Sequence, residues 1–435
     1  MPEINISEFS CIDDAHFSLS PVNVLIGPQG SGKSVTTKLF YFCTDLMTSF
    51  MTSAEKGLVL NDYKKLVARE FSNWFPPQAW GGGRFNINYT AGKFYVRVLR
   101  RLRNSQPSDE VSVFFSEWFA DIYDEAVGAF LKARKTVDIE SANPRSFSDD
   151  PSWRVREQIT AKIGRALGEE FIAGQTFVPA GRAFFTSIGR LVAGFEHAGA
   201  LDPVTLKFAR LFANLRDRLG WQGVYQTRST EGNERRIRFM TRLFGGEIKR
   251  EGDADFVETS DGRKVPFGSL SSGQQELLPM WSLIDLYAQQ DEFLSSRKDA
   301  PKPQRHLIYI EEPEAHLFPS AQSVLMEFLI GSLVSRNLRS LVLTTHSPYI
   351  LSKLNVFLKA GQLARRKKRN QDINEIVPRE CWLNENQLSA FAIENRNLRS
   401  LIDTEYGLIE DEYLDEISQA MAKEYSQLVK IEAEI

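Results

Sequence analysis

Gly27-Pro28-Gln29-Gly30-Ser31-Gly32-Lys33-Ser34 fits the pattern G-x-x-x-x-G-K-[ST]. Its flanks are the ones that pattern needs. Val22-Asn23-Val24-Leu25-Ile26 is a short apolar run that reads as a buried strand, and Val35-Thr36-Thr37-Lys38-Leu39-Phe40-Tyr41-Phe42 opens a helix. Glycines at such a junction let the backbone curl, so that successive N–H groups and the helix N-terminus face an anion. Lys33 then reaches β- and γ-phosphates, and the Ser34 hydroxyl ligates Mg²⁺. In this context the octapeptide predicts a nucleoside-triphosphate site.

Three further segments narrow the reading. Leu307-Ile308-Tyr309-Ile310-Glu311-Glu312 is an apolar strand ending in two carboxylates. A first acid in that place holds Mg²⁺, and a second polarises an attacking water. Leu270-Ser271-Ser272-Gly273-Gln274-Gln275 precedes a helical run starting near Glu276, so serine, glycine and a helix N-terminus again form a phosphate-binding device. Leu341-Val342-Leu343-Thr344-Thr345-His346-Ser347-Pro348 is another strand with a polar end, and it offers one histidine.

Taken in order, GPQGSGKS, LSSGQQ, IYIEEPEAHLFP and LVLTTHSP resemble the head of an ABC-type ATPase of the SMC, RecF and OLD-like branch. The resemblance covers roughly the first 55 residues and then 260 to 435, with a weaker echo at Phe177-Val178-Pro179-Ala180-Gly181-Arg182. It implies an α/β fold: a mixed sheet flanked by helices, binding ATP and Mg²⁺. By that resemblance Gly27, Pro28, Gln29, Gly30, Ser31, Gly32, Lys33, Ser34 and Val35 cradle ATP, and Ser34 and Glu311 hold Mg²⁺. Glu312 is the catalytic base, assisted by Lys33, and His346 contacts the γ-phosphate and the attacking water. Ser271, Gly273 and Gln274 serve ATP bound to the other subunit, which implies a head-to-tail homodimer or a higher homo-oligomer. Pro313 to Pro319 would form the loop by which the two sites sense each other. Two departures stand out: Glu311 where Asp is commoner, and Gln29 in place of Asn. Gln175 is a candidate for the Q-loop glutamine. Arg182 reads either as a phosphate-facing cation or as a structural residue.

At 435 residues and 42% hydrophobic content the chain can bury a large core. No run approaches the ~20 apolar residues of a membrane span, and Met1-Pro2-Glu3-Ile4-Asn5 has neither a basic region nor an apolar core. Cys11, Cys43 and Cys381 are scattered without metal spacing and read as reduced thiols. These features lead to an expectation of a cytoplasmic protein with no membrane partner.

The expected organisation is a head in two parts, 1–55 and 256–435, interrupted by an insertion at 56–255. Within the insertion, Phe85 to Tyr89 alternates, Thr90-Ala91-Gly92 turns, and Lys93 to Val98 returns, which reads as a β-hairpin. From Ser108 to about Lys135 the apolar positions 111, 114, 115, 118, 119, 122, 126 and 130 predict a helix capped by Ser108 or Asp109. Asp202-Pro203 is a start signal for a helix to about Leu219. Ser141 to Trp153 reads as a loop. Sustained heptads are absent, so the insertion is expected to be a compact, mainly helical lobe, not a coiled-coil arm.

A net charge of −3 gives no global attraction to nucleic acid. Arg97, Arg100, Arg101 and Arg103, then Arg235, Arg236, Arg238 and Arg242, then Arg365 to Arg369 are local basic stretches. They are read either as solvated faces or as contacts to nucleic-acid phosphates. Glu314 and His316 are better explained by the dimer loop than by a metal, and His16, His197 and His306 lack partners at ligand spacing. Full-length OLD nucleases carry a TOPRIM domain with a glutamate and an Asp-x-Asp pair. The only such pair here, Asp253-Ala254-Asp255, reads as solvated surface, so no nuclease activity is expected. Gln387 to Ile435 reads as a strand pair and an amphipathic helix, with Asp411, Glu412, Asp415 and Glu416 on its solvated face. Two functions fit. One is the ATP-driven sensor or scaffold of a multi-protein antiviral system with a separate effector, as in the ATPase subunits of PARIS, Septu and retron systems. The other is a RecF- or SMC-like DNA-repair ATPase.

Overall fold

The computed structural model describes residues 1–139, 150–188, 201–218, 230–252, 254–296, 304–334, 339–366 and 370–410. The chain opens with β1 (Glu3–Phe9), β2 (Ile12–Ser18) and β3 (Val22–Ile26), then α1 (Lys33–Glu55) and α2 (Leu60–Trp74). β4 (Asn86–Ala91), β5 (Phe94–Arg103) and β6 (Gln106–Phe115) follow, then α3 (Glu117–Ile139), α4 (Pro151–Leu167) and β7 (Ile172–Val178). Helices α5 (Ala183–Ile188), α6 (Pro203–Arg218) and α7 (Thr230–Phe244) lead to a small sheet of β8 (Gly246–Glu251), β9 (Ala254–Thr259) and β10 (Lys264–Pro266). The last part holds α8 (Ser272–Ser296), β11 (Arg305–Glu311), α9 (Pro319–Leu329), β12 (Arg339–Thr345) and α10 (Pro348–Arg365). It ends with α11 (Asn370–Ile376), β13 (Leu388–Glu394) and β14 (Asn397–Ser400).

The main sheet has eleven strands in the order β6-β5-β4-β1-β2-β14-β13-β3-β12-β11-β7. From β13 to β7 neighbouring strands are parallel, and from β6 to β2 they are antiparallel. The central parallel strands β3, β12 and β11 are buried along most of their length, as expected where helices cover both faces. Side chains alternate between those faces. Ile308 and Ile310 enter one core with Val24, Trp281 and Phe328, whereas Leu307 and Tyr309 enter the other with Leu25, Phe40 and Tyr41. α1 is apolar nearly all round, with Leu39, Phe40, Tyr41, Phe42 and Cys43 all buried, so it lies inside the second core instead of on its surface.

The hairpin foreseen at 85–98 is present, but it is not a separate lobe. β4 pairs antiparallel with β1, Ile6 opposite Ile87, so β4 to β6 extend the head's own sheet, and β7 forms its far edge. Ile87, Tyr89, Val96 and Val98 are fully buried in the core that also holds Phe40 and Tyr41. The helix expected from Ser108 is a correction. Gln106–Phe115 is strand β6, and the helix starts only at Glu117. Positions 111, 115, 118 and 122 mimic a helical stripe because an apolar strand end runs straight into an apolar helix face. The expected loop to Trp153 stops earlier: α4 begins at Pro151, where Asp150 accepts the Ser152 N–H, and 140–149 lie outside the described residues. The Asp202-Pro203 signal matches α6, with the Asp202 carboxylate capping Val204 and Thr205. Asp255 is buried against Arg250, not solvated, and Asp253 lies outside the described residues. So do His197, Lys367 to Arg369, and the tail from 411 with Asp411, Glu412, Asp415 and Glu416. Among the described residues no helix is long and apolar enough to cross a membrane.

Candidate nucleotide site

The carboxyl ends of β3, β12 and β11 lie side by side. Ile26 is level with Thr345, and Thr344 is level with Glu311. In open α/β sheets this is where ligands bind. Each strand therefore delivers its next residues to one place: residues 27–34 after β3, His346 after β12, Glu311 and Glu312 from β11.

Lys33 opens α1 and is buried, with Nζ donating to the carbonyls of Gly27 and Pro28 at 2.8 Å each. Burial lowers its pKa, and Glu312, Glu314 and Glu311 oppose that shift. Ser34, one residue on, is exposed at the helix start. Glu311 is 7% exposed. Its Oε2 accepts the Ala180 N–H at 3.3 Å, while Oε1 is buried with no hydrogen-bond partner among the described residues. A buried carboxylate oxygen left without a donor is costly unless a cation meets it, so Glu311 fits the Mg²⁺ of such a site.

Glu312 takes the unusual positive φ of 42°. Its Oε1 lies 3.3 Å from His346 Nε2. Glu314 braces the far side of the pair: its Oε1 accepts from the Thr345 hydroxyl at 2.6 Å and from the His346 N–H at 2.7 Å. Ser347 caps α10 through the Tyr349 N–H and donates to Gln322.

The start of α8 lies against the loop that follows these acids. Its first turn is a capping box: Ser271 Oγ accepts the Gln274 N–H, and Gln274 Oε1 accepts the Ser271 N–H. That box starts the helix at Ser272, four residues before the Glu276 expected from composition. Gly273 touches the His316 carbonyl so closely that a Cβ there would lie 2.5 Å from the oxygen. Ser271 itself is exposed.

A family model described as "AAA domain, putative AbiEii toxin, Type IV TA system" matches residues 22–352. The chain belongs to that family. It is a P-loop ATPase-type chain, and the match spans every site segment from the phosphate loop to His346. No curated protein matches it. Among solved structures it is similar to the SMC head domain from Thermotoga maritima, at 14% identity and TM-score 0.36, over 92% of this chain and 97% of that one. It is also similar to an SMC head bound to the C-winged helix domain of ScpA, at 9% identity and TM-score 0.39, over 92% and 96%. A third is cbiO1 from Clostridium perfringens, part of the ABC transporter complex cbiONQ, at 11% identity and TM-score 0.28, over 99% and 98%.

Gln175 and Arg182 stand elsewhere than at the phosphates. Gln175 is not at the site: it lies mid-strand, level with Leu307, donating to the Tyr41 carbonyl and accepting from the Tyr309 hydroxyl. Arg182 faces no open phosphate position, because it is completely buried and bonded to backbone carbonyls. The role of Glu314 was missed. Its signal was one acid two residues past Glu312, on a loop that returns to the strand carrying His346. Several of the basic residues are committed internally. Arg236 pairs with buried Asp285, Arg242 with Glu327, Arg235 with Glu380, and Arg100 donates to the carbonyls of Gly81 and Gly83. Among the described residues no group of three or more His, Cys, Asp or Glu is placed to hold a metal ion.

Proposed function

We propose that this chain binds and hydrolyses ATP, and that it does so as the nucleotide-controlled subunit of a multi-protein antiviral system, acting on a separate effector such as a nuclease. The observation that carries the ATPase reading is the meeting, at the ends of three adjacent strands, of a buried ammonium, a buried carboxylate with a free oxygen, and a carboxylate–imidazole pair. Residues 27–35 wrap the phosphates with backbone N–H groups, and Lys33 moves from its carbonyls to the β- and γ-oxygens. Ser34 and Glu311 are the residues that would hold Mg²⁺, which when bound supplies positive charge against the phosphates. Glu312 takes the proton of a water that attacks the γ-phosphorus as the bond to the β-bridging oxygen breaks. ADP and phosphate leave. His346, beside Glu312, orients that water and bonds the γ-phosphoryl group.

In this reading Ser271, Gly273 and Gln274 complete the site of a second subunit. Phe318 is 77% exposed after Glu312, and Tyr349 is 54% exposed after His346. Aromatic rings are enriched at protein interfaces, so these two, on the segments that follow Glu312 and His346, support a contact with another copy. The family description names a toxin of a type IV system, and this supports a defence role over DNA repair. The internal pairing of the second basic stretch weighs the same way. The experiment is ATP turnover by wild-type protein and by Lys33→Ala, with pull-down of the neighbouring gene products. Turnover lost in the variant, and capture of an effector, are expected. Normal turnover by Lys33→Ala would refute the ATPase assignment, and capture of recombination proteins would move the role to DNA repair.

A further inference from the structure

Arg182 follows β7 and has no exposed surface. Its guanidinium spends its donors on four carbonyls from three segments. Nε reaches Glu276 O at 2.9 Å, Nη1 reaches Pro179 O at 3.1 Å and Glu311 O at 2.8 Å, and Nη2 reaches Glu312 O at 3.1 Å. The nearest carboxylate oxygen is Glu276 Oε2, 3.9 Å from Nε. Burying a guanidinium is expensive, and it is tolerated only where hydrogen bonds and nearby negative charge compensate. The acids Glu276, Glu311, Glu312 and Glu314 supply that charge.

The geometry has a specific consequence for Glu312. The carbonyls of Glu311 and Glu312 stand on either side of the φ and ψ rotations that aim the Glu312 side chain, and φ there is 42°. A non-glycine residue holds that conformation only where its surroundings impose it. One guanidinium grips both flanking carbonyls and, through Nε, the Glu276 carbonyl in the second turn of α8. A second tie, the Gly273 backbone against the His316 carbonyl, joins the same helix start to the same loop.

We propose that Arg182 is a positioning residue for ATP hydrolysis, locking the backbone around Glu312 to the N-terminal part of the helix that Ser271 caps. This rests on Glu312 being the base and on Ser271 serving the partner's nucleotide. It adds a route between the two sites of a dimer. When the start of α8 settles on the partner's ATP, the shift passes through one side chain to the base of its own site. A lysine cannot replace the fork, because a single ammonium cannot reach four carbonyls in those directions.

The test is Arg182→Lys, alone and combined with Glu312→Gln, measured for thermal unfolding, affinity for a fluorescent ATP analogue, and kcat. The lysine variant should bind the analogue within about threefold of wild type, because residues 27–34 are untouched, while kcat falls by roughly 30-fold or more. The double variant should turn over no more slowly than Glu312→Gln alone, since a misplaced base and a missing base are the same defect. A kcat within about twofold of wild type, or losses that multiply in the double variant, would overturn the proposal. Should Arg182→Lys fail to fold, Gly181→Ala keeps the arginine and strains only the turn that aims it. Gly181 has φ 68°, and a methyl there meets no atom. That variant should also lose kcat and not affinity, and an unchanged kcat overturns the proposal. Wild-type protein that binds the analogue but never turns over ATP would instead indict the ATPase reading.

Discussion

Glu314 holds His346 by its backbone, its Oε1 accepting the His346 N–H at 2.7 Å while also taking the Thr345 hydroxyl at 2.6 Å. The loop after β11 is thereby fastened to the end of β12. The imidazole then sits with Nε2 3.3 Å from Glu312, so the spacing of the carboxylate–imidazole pair is set by a third residue that belongs to neither.

Removing that fastening should cost catalysis without costing affinity. Glu314→Ala leaves the Thr345 hydroxyl and the His346 N–H without their acceptor. A displaced orienting group typically costs an order of magnitude, so kcat should fall about tenfold with ATP affinity within about twofold. Steady-state kinetics beside direct binding separates the two. An equal loss in both would mean that Glu314 supports the phosphate loop instead.

The proposed sharing of each site between two copies is open to a mixing experiment. Ser271 is exposed, and its hydrogen bonds run to Gln274 and Gln275, not to residues 27–34. Ser271→Arg and Lys33→Ala should each be inactive alone. Mixed in equal amounts they form some dimers in which an intact phosphate loop faces an intact Ser271. Roughly a tenth to a quarter of wild-type turnover should then return. If the mixture stays dead although mixed dimers are shown to form, the signature serves its own chain's nucleotide.

Acid sensitivity should come partly from His306. Burial, and then the positive charge of Arg339, lower its pKa to about 3. Its Nε2 lies 2.9 Å from the Thr176 hydroxyl. The unfolded chain takes up the proton near pH 6.5, well before the folded chain does. Stability from this residue is therefore whole above pH ~6.5 and is lost as pH falls from there toward about 3, at no more than ~1.4 kcal/mol per pH unit. Denaturant unfolding of wild type and His306→Gln at pH 7.5 and 5.5 checks this. The variant should lose less on acidification, and identical losses would show that other groups dominate.

The site was far more legible in the sequence than the sheet around it. The octapeptide at 27–34, the acids closing 307–312 and the histidine closing 341–346 are local signals, because a strand end and its following residues are contiguous. What brings them together is the register of β3, β12 and β11, which the apolar runs do not specify. The pairing of β4 with β1 joins residues about eighty apart and leaves no local trace, so a hairpin that completes the head looked like an insertion. β6 was hidden for another reason. Its first half, Gln106-Pro107-Ser108-Asp109-Glu110, is polar because it is a sheet edge, and only Val111 and Val113 are buried. Arg182 was visible as a residue but not as a role. A buried guanidinium on carbonyls and an exposed one on phosphate look the same in a one-dimensional chain.

The central claim, ATP hydrolysis with Glu312 as base, is tested most directly by phosphate release from Glu312→Gln beside wild type in saturating ATP and Mg²⁺, with nucleotide binding measured on the same samples. The variant should bind ATP as wild type does, release phosphate at least ~100-fold more slowly, and gather with ATP and Mg²⁺ into dimers or assemblies of dimers. Wild-type turnover by Glu312→Gln would contradict the account and pass the base role to Glu311 or His346.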